Sequence, residues 1–136
     1  MGIDKDQKEK YMQYQFLISQ INQLQQYLVA VNKQIISLNT LNKEIEDFSQ
    51  VKENSNVLVP LDSGVFFEGQ VKNNKNLKVN VGAGVVVEKT IDETKTLILK
   101  QIGELEETMV IIENQLQAIA DRSEEIRKDL ENFNEK

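Results

Sequence analysis

"YMQYQFLISQINQLQQYLVAVN", Tyr11 to Asn32, carries no charged side chain in a chain of 136 residues that is 28% charged. Nine of its residues are Gln, Asn or Ser, spread throughout. A membrane-spanning helix needs about 20 predominantly apolar residues, so the stretch fails as a span. Buried core and exposed, adhesive surface remain. Tyr14, Leu17, Ile21, Leu24, Leu28, Val31, Ile35, Leu38, Asn42 and Ile45 follow one another in alternating steps of three and four. That is the a/d seam of a coiled coil over about five heptads, broken only at Asn42. Asp4 with Gln7 is a candidate cap at the start, and the polar run "KENSN", Lys52 to Asn56, ends the helix. A polar a residue fixes register at some cost in stability. The blander alternative for Asn42 is a seam that loosens near the helix end, shifting toward Leu41 and Phe48.

The second half repeats the pattern. Ile91, Ile98, Ile102, Leu105, Met109, Ile112, Leu116, Ile119, Ser123, Ile126, Leu130 and Phe133 fall on one seam, with Lys95 and Ser123 as its polar slots. Thr90 and Glu93 have the Thr-x-x-Glu spacing of a capping box at its start. Gly103 lies off the seam and costs about 1 kcal/mol relative to Ala.

Between the helices, "NVLVPL", "VFFEGQV", "LKVNV" and "VVVEKT" are short and Val-rich, separated by "DSG", "KNNKN" and "GAG". These are four strands with turn chemistry between them. Asn tolerates positive φ, which makes Asn73 to Asn76 the best hairpin turn by composition. Pro60 cannot donate to a ladder, so its strand is expected at an edge or bulged there. The fold class is therefore α+β. A long antiparallel two-helix coiled coil is expected, with two β-hairpins at one end and both termini at the other. The expected boundaries, within a single domain over 1–136, are a first helix over 4–50, strands over 57–89 and a second helix over 91–134. Helices of about 40 residues would be about 60 Å long.

About 25 strand residues cannot build an independent core. With no Cys for staples, Val57, Val59, Val65, Phe67, Val79, Val81, Val85 and Val87 must be buried against other subunits. Association is thus expected from the sequence, with these residues as the oligomer core.

Composition narrows function further. The chain has no Cys, His or Trp, which removes thiol nucleophiles, His bases and the usual zinc ligands. From Gln101 to Lys136 ten acidic and four basic residues give −6, so the first hundred sum to zero. No basic patch points to nucleic acid. "MGIDKDQKEK" lacks the apolar core of a signal peptide and the Ser or Thr of a myristoylation pattern. A soluble, cytoplasmic protein is expected.

"GAGVVVEK" is a turn or bulge rather than a phosphate loop, because it lacks a third Gly and a strand follows it. Glu106/Glu107 and Glu124/Glu125 are adjacent on a helix and do not face each other. They read as solvated faces. No enzyme, cofactor or metal site is expected. The off-seam apolar residues are more telling. Tyr11, Met12, Phe16 and Ile18 fall on e, f, c and e, where a plain two-helix hairpin offers no cover. Exposed apolar clusters mark binding sites, and Met and aromatics suit adaptable ones. Either clients bind there, or a further helix or neighbouring chain packs there.

The order helix, four strands, helix, with "VLVPLDSGVFFEGQV" at Val57 to Val71 and "VNVGAGVVVEKT" at Val79 to Thr90, strongly resembles the alpha-class prefoldin subunits, archaeal type. The resemblance covers nearly the whole chain, and two hairpins separate the alpha class from the one-hairpin beta class. It implies a hexamer of two alpha and four beta subunits, in which the alpha subunits meet centrally and the hairpins build a double β-barrel body. It also implies coiled-coil tips that bind unfolded client proteins without ATP and deliver them to a group II chaperonin. The tip residues rest on the seam: Tyr11, Met12, Phe16 and Ile18, faced by Leu130 and Phe133. The alternative is a passive coiled-coil scaffold or tether that binds one folded partner. The absence of charge from Tyr11 to Asn32 argues against it, since such pairing is specified by ion pairs.

Overall fold

A computed structural model of the chain describes residues 5–134. Two helices, α1 (Lys5–Phe48) and α2 (Ile91–Asn134), flank four strands, β1 (Asn56–Asp62), β2 (Val65–Gln70), β3 (Asn76–Gly82) and β4 (Val85–Thr90). The Asp4 cap lies outside the described residues. The chain divides into two compact units, a terminal one of Met1–Ile35 with Glu104–Lys136 and a central one of Ile36–Gly103.

In the terminal unit the heptad seam is the core. Val31, Ile35, Ile112 and Ile126 are buried, while Leu17, Ile21, Leu24, Leu28, Leu116 and Ile119 are half-buried. Ser123 occupies its seam slot buried, with its hydroxyl donating to the Ala120 carbonyl at 2.8 Å. That local bond satisfies the hydroxyl where apolar neighbours cannot. The helices run antiparallel here, since Lys10 pairs with Asp129 at 2.7 Å while Leu24 and Tyr27 lie beside Gln115 and Ile119.

In the central unit Ile45, Ile98 and Ile102 are buried, and the polar slot Lys95 is filled by an ion pair with Glu46. Asn42 stays in this seam: its Oδ1 is buried without a hydrogen-bond partner, while Leu41 is exposed. The seam therefore does not shift to Leu41, because Ile45 one step further remains core. The capping box forms as its spacing dictates. Glu93 N donates to Thr90 Oγ1 at 3.1 Å, and Thr90 N donates to Glu93 Oε1 at 3.4 Å.

The strands form two separate antiparallel hairpins, β1–β2 and β3–β4. Each closes on a two-residue turn with both central residues at positive φ: Ser63 (51°) and Gly64 (82°), then Ala83 (50°) and Gly84 (76°). This is the type I′ geometry that matches strand twist. The expected hairpin turn at Asn73–Asn76 is therefore wrong, because that segment links the two hairpins. Asn73 Oδ1 accepts from the backbone N–H of Lys75 (2.8 Å) and Asn76 (3.3 Å), and Asn74 Nδ2 donates to the Val51 carbonyl at 2.8 Å. The linker is thus an Asx turn tied to Val51, in the segment that follows α1. Pro60 lies next to a register shift between Pro60 and Asp62, and the second hairpin shifts at the equivalent place, between Asn80 and Gly82.

Candidate client-binding surface and assembly face

On α1, Tyr11, Met12 and Phe16 are exposed, Met12 and Phe16 by more than 60% of their surface, and Ile18 is exposed by 36%. They are exposed because the seam period places them away from α2, not because the helix frays. On α2, Leu130 and Phe133 are half-buried. Lys10 sits with its Nζ 5.9 Å from the centroid of the Phe133 ring while paired with Asp129. This cation over an aromatic face was not foreseen from sequence. The pair is part-exposed, so its contribution is of order 0–1 kcal/mol. Nearby, Arg127 bridges Glu124 and Glu131, and Arg122 pairs with Glu125. The hydrogen bond from Arg127 holds the Glu124 carboxyl below its ordinary range, and Glu124 in turn raises the Arg127 guanidinium.

The hairpins supply the second surface. Antiparallel pairing sets Val57 opposite Gly69, Val59 opposite Phe67, Leu77 opposite Lys89 and Val79 opposite Val87. Side chains alternate with period two, so Val57, Val59, Val65 and Phe67 share one face of the first hairpin. Val79, Val85 and Val87 share the matching face of the second, and Val81 lies at its register shift. Val57, Val59, Val79 and Val87 are half-buried, whereas Val65, Phe67, Val81 and Val85 are exposed in the single chain.

The opposite faces differ. On the first hairpin Leu58, Pro60 and Phe66 lie exposed on one side. On the second, Lys78 pairs with Glu88 at 3.9 Å, beside Asn80, Thr90 and Val86. Sequence reasoning missed Leu58 and Phe66. The signal was present, since "VLVPL" and "VFF" are unbroken apolar runs, which mark strands covered on both faces.

No cluster of three or more metal-ligating His, Cys, Asp or Glu occurs among the described residues, and no described helix is long and apolar enough to cross a membrane.

Two long helices with two small antiparallel hairpins between them, whose apolar residues lie largely exposed in the single chain, define a structural class. Residues 17–136 match the family model described as "Prefoldin subunit", and the chain belongs to the prefoldin family. Among curated protein sequences none matches. Eighteen chains of solved structures do. One is a filamentous prefoldin of Methanocaldococcus jannaschii seen by cryo-electron microscopy. It is similar over 88% of this chain and 98% of its own, with a TM-score of 0.80 and 20% identity. The family supports a chaperone-type role and prefoldin subunits as partners.

Proposed function

We propose that this chain is the alpha-class subunit of an ATP-independent co-chaperone, acting over 1–136 as one unit. Non-native proteins bind at Tyr11, Met12, Phe16 and Ile18, with Leu130 and Phe133 completing the surface, and pass from there to a group II chaperonin. Val57, Val59, Val65, Phe67, Val79, Val81, Val85 and Val87 are buried in a barrel shared with a second alpha and four beta subunits, in the cytoplasm. The observation that carries this reading is the exposed, uncharged apolar cluster on α1 in a member of the prefoldin family. Large apolar side chains held off the seam cost solubility unless they bind something. A surface without charge suits clients of every charge pattern.

Native mass of the chain, alone and co-expressed with a beta-type subunit, tests the assembly. A hexamer in the mixture supports it, and Val59→Asp, which puts a charge on the shared face, should abolish it. A monomer that ignores the beta-type subunit would refute it. Suppression of client aggregation without nucleotide tests the activity.

A further inference from the structure

The glutamines of the charge-free run remain unexplained by a tip of Tyr, Met, Phe and Ile. In the terminal unit two of them, Gln20 and Gln23, line an open groove of about 520 Å³ between the two helices, together with Gln115 of α2. Leu24 and Ile119, both seam residues, form its floor. Gln20, Gln23 and Gln115 stand at its walls with Tyr27, and Ala118 lies along the α2 side. Gln20, Tyr27 and Gln115 occupy g positions, which in many coiled coils carry the ion pairs that close over a seam. Here they are uncharged, and Ala118 is too short to cover the floor. Among the described residues the three carboxamides hydrogen-bond no other protein group. The groove on the other side of the pair is smaller, about 210 Å³, carries Glu113, and has its Gln117 amide bonded to Asp121 at 2.9 Å.

We infer that the larger groove binds an extended, uncharged segment of a non-native polypeptide through the backbone of that segment. The inference rests on the chaperone reading and adds a second contact to it. Each carboxamide offers one acceptor oxygen and two N–H donors. An extended chain presents N–H and C=O groups along its edge and side chains to alternate faces. The glutamines therefore pair with any sequence, while every second side chain rests on Leu24, Ile119 and Tyr27. Folded proteins keep their backbone groups paired internally, so the groove discriminates unfolded from folded chains by the groups on offer. A charged segment is disfavoured, because it would lose hydration with no counter-charge in the groove. The volume lies in the range of ligand clefts.

The full chain, assembled with beta-type subunits, is titrated with a fluorescent peptide whose eight-residue core alternates serine and leucine between lysine pairs. The same peptide methylated on its core backbone nitrogens is the comparison. The unmodified peptide is expected to bind about tenfold more tightly, the effect of one or two lost hydrogen bonds. Ala118→Leu fills the groove from an exposed position and should erase the binding. Gln23→Leu with Gln115→Leu, also exposed, should erase the difference between the peptides. Equal binding of both peptides to the wild type, or undiminished binding by Ala118→Leu, overturns the groove. Client aggregation is followed in parallel: suppression by the wild type with either of those results condemns the groove alone, whereas no suppression at all condemns the chaperone reading.

Discussion

Asn42→Leu should stabilise the chain. Asn42 occupies an a position between Leu38 and Ile45, and its Oδ1 is buried with no hydrogen-bond partner. A buried acceptor left unpaired costs roughly 1–3 kcal/mol, and leucine at the same position adds apolar burial in a seam that already holds Ile45, Ile98 and Ile102. The residue is half-buried rather than fully buried, so part of the gain is lost to solvent. A net gain of about 1–2 kcal/mol is expected. For a chain of this size that corresponds to roughly 4–8 °C in the thermal midpoint. Circular dichroism at 222 nm, by heat and by urea, measures it. Protomer concentration must be equal for both proteins, because assembly itself raises apparent stability. An unchanged urea slope with a higher midpoint would show that stability has risen without a change in the surface exposed on unfolding. A lower midpoint would refute the reasoning, since it would mean that the carboxamide makes a stabilising contact which leucine removes. If Asn42 also fixes register, the variant should show additional species by native mass while being more stable.

Gly103→Ala should raise the thermal midpoint by the equivalent of roughly 0.5–1 kcal/mol, since a Cβ there meets nothing within 4 Å; a loss in the same melt would reveal a need for flexibility at that point of α2. The Glu124 carboxyl titrates lower in the folded chain than when unfolded, because Arg127 stabilises its charged form. Its contribution is therefore present above the unfolded carboxylate range and is lost as pH falls through the lowered value. Glu124→Gln should melt slightly below the wild type near neutrality and together with it in strong acid; a gap that widens on acidification would contradict the sign.

The helices were legible because one spacing rule persists over 44 residues in each, and the Thr90–Glu93 box marked the start of α2 to the residue. The strands were legible from Val-rich runs between turn residues, but the choice among turns was not. Asn73–Asn76 had the right residue types, yet closure of these hairpins needs two successive residues at positive φ, which Ser63–Gly64 and Ala83–Gly84 supply. The exposure of Tyr11, Met12 and Phe16 followed from heptad counting alone. Lys10 over Phe133 did not, since that contact spans residues far apart in sequence whose meeting depends on helix register. The Gln-lined groove has the same origin: Ala118 leaves space only because of what stands opposite it on α1.

The most direct measurement replaces Tyr11, Met12, Phe16 and Ile18 together with Ser and follows aggregation of a denatured client, without nucleotide, in the presence of the assembled complex. The reading predicts a complex of unchanged mass whose suppression falls by at least tenfold, since tenfold is about 1.4 kcal/mol and the loss of even one well-buried large apolar contact costs about that much. Full suppression by an intact mutant complex would contradict client binding at these residues, and loss of the complex itself would assign them to packing between subunits.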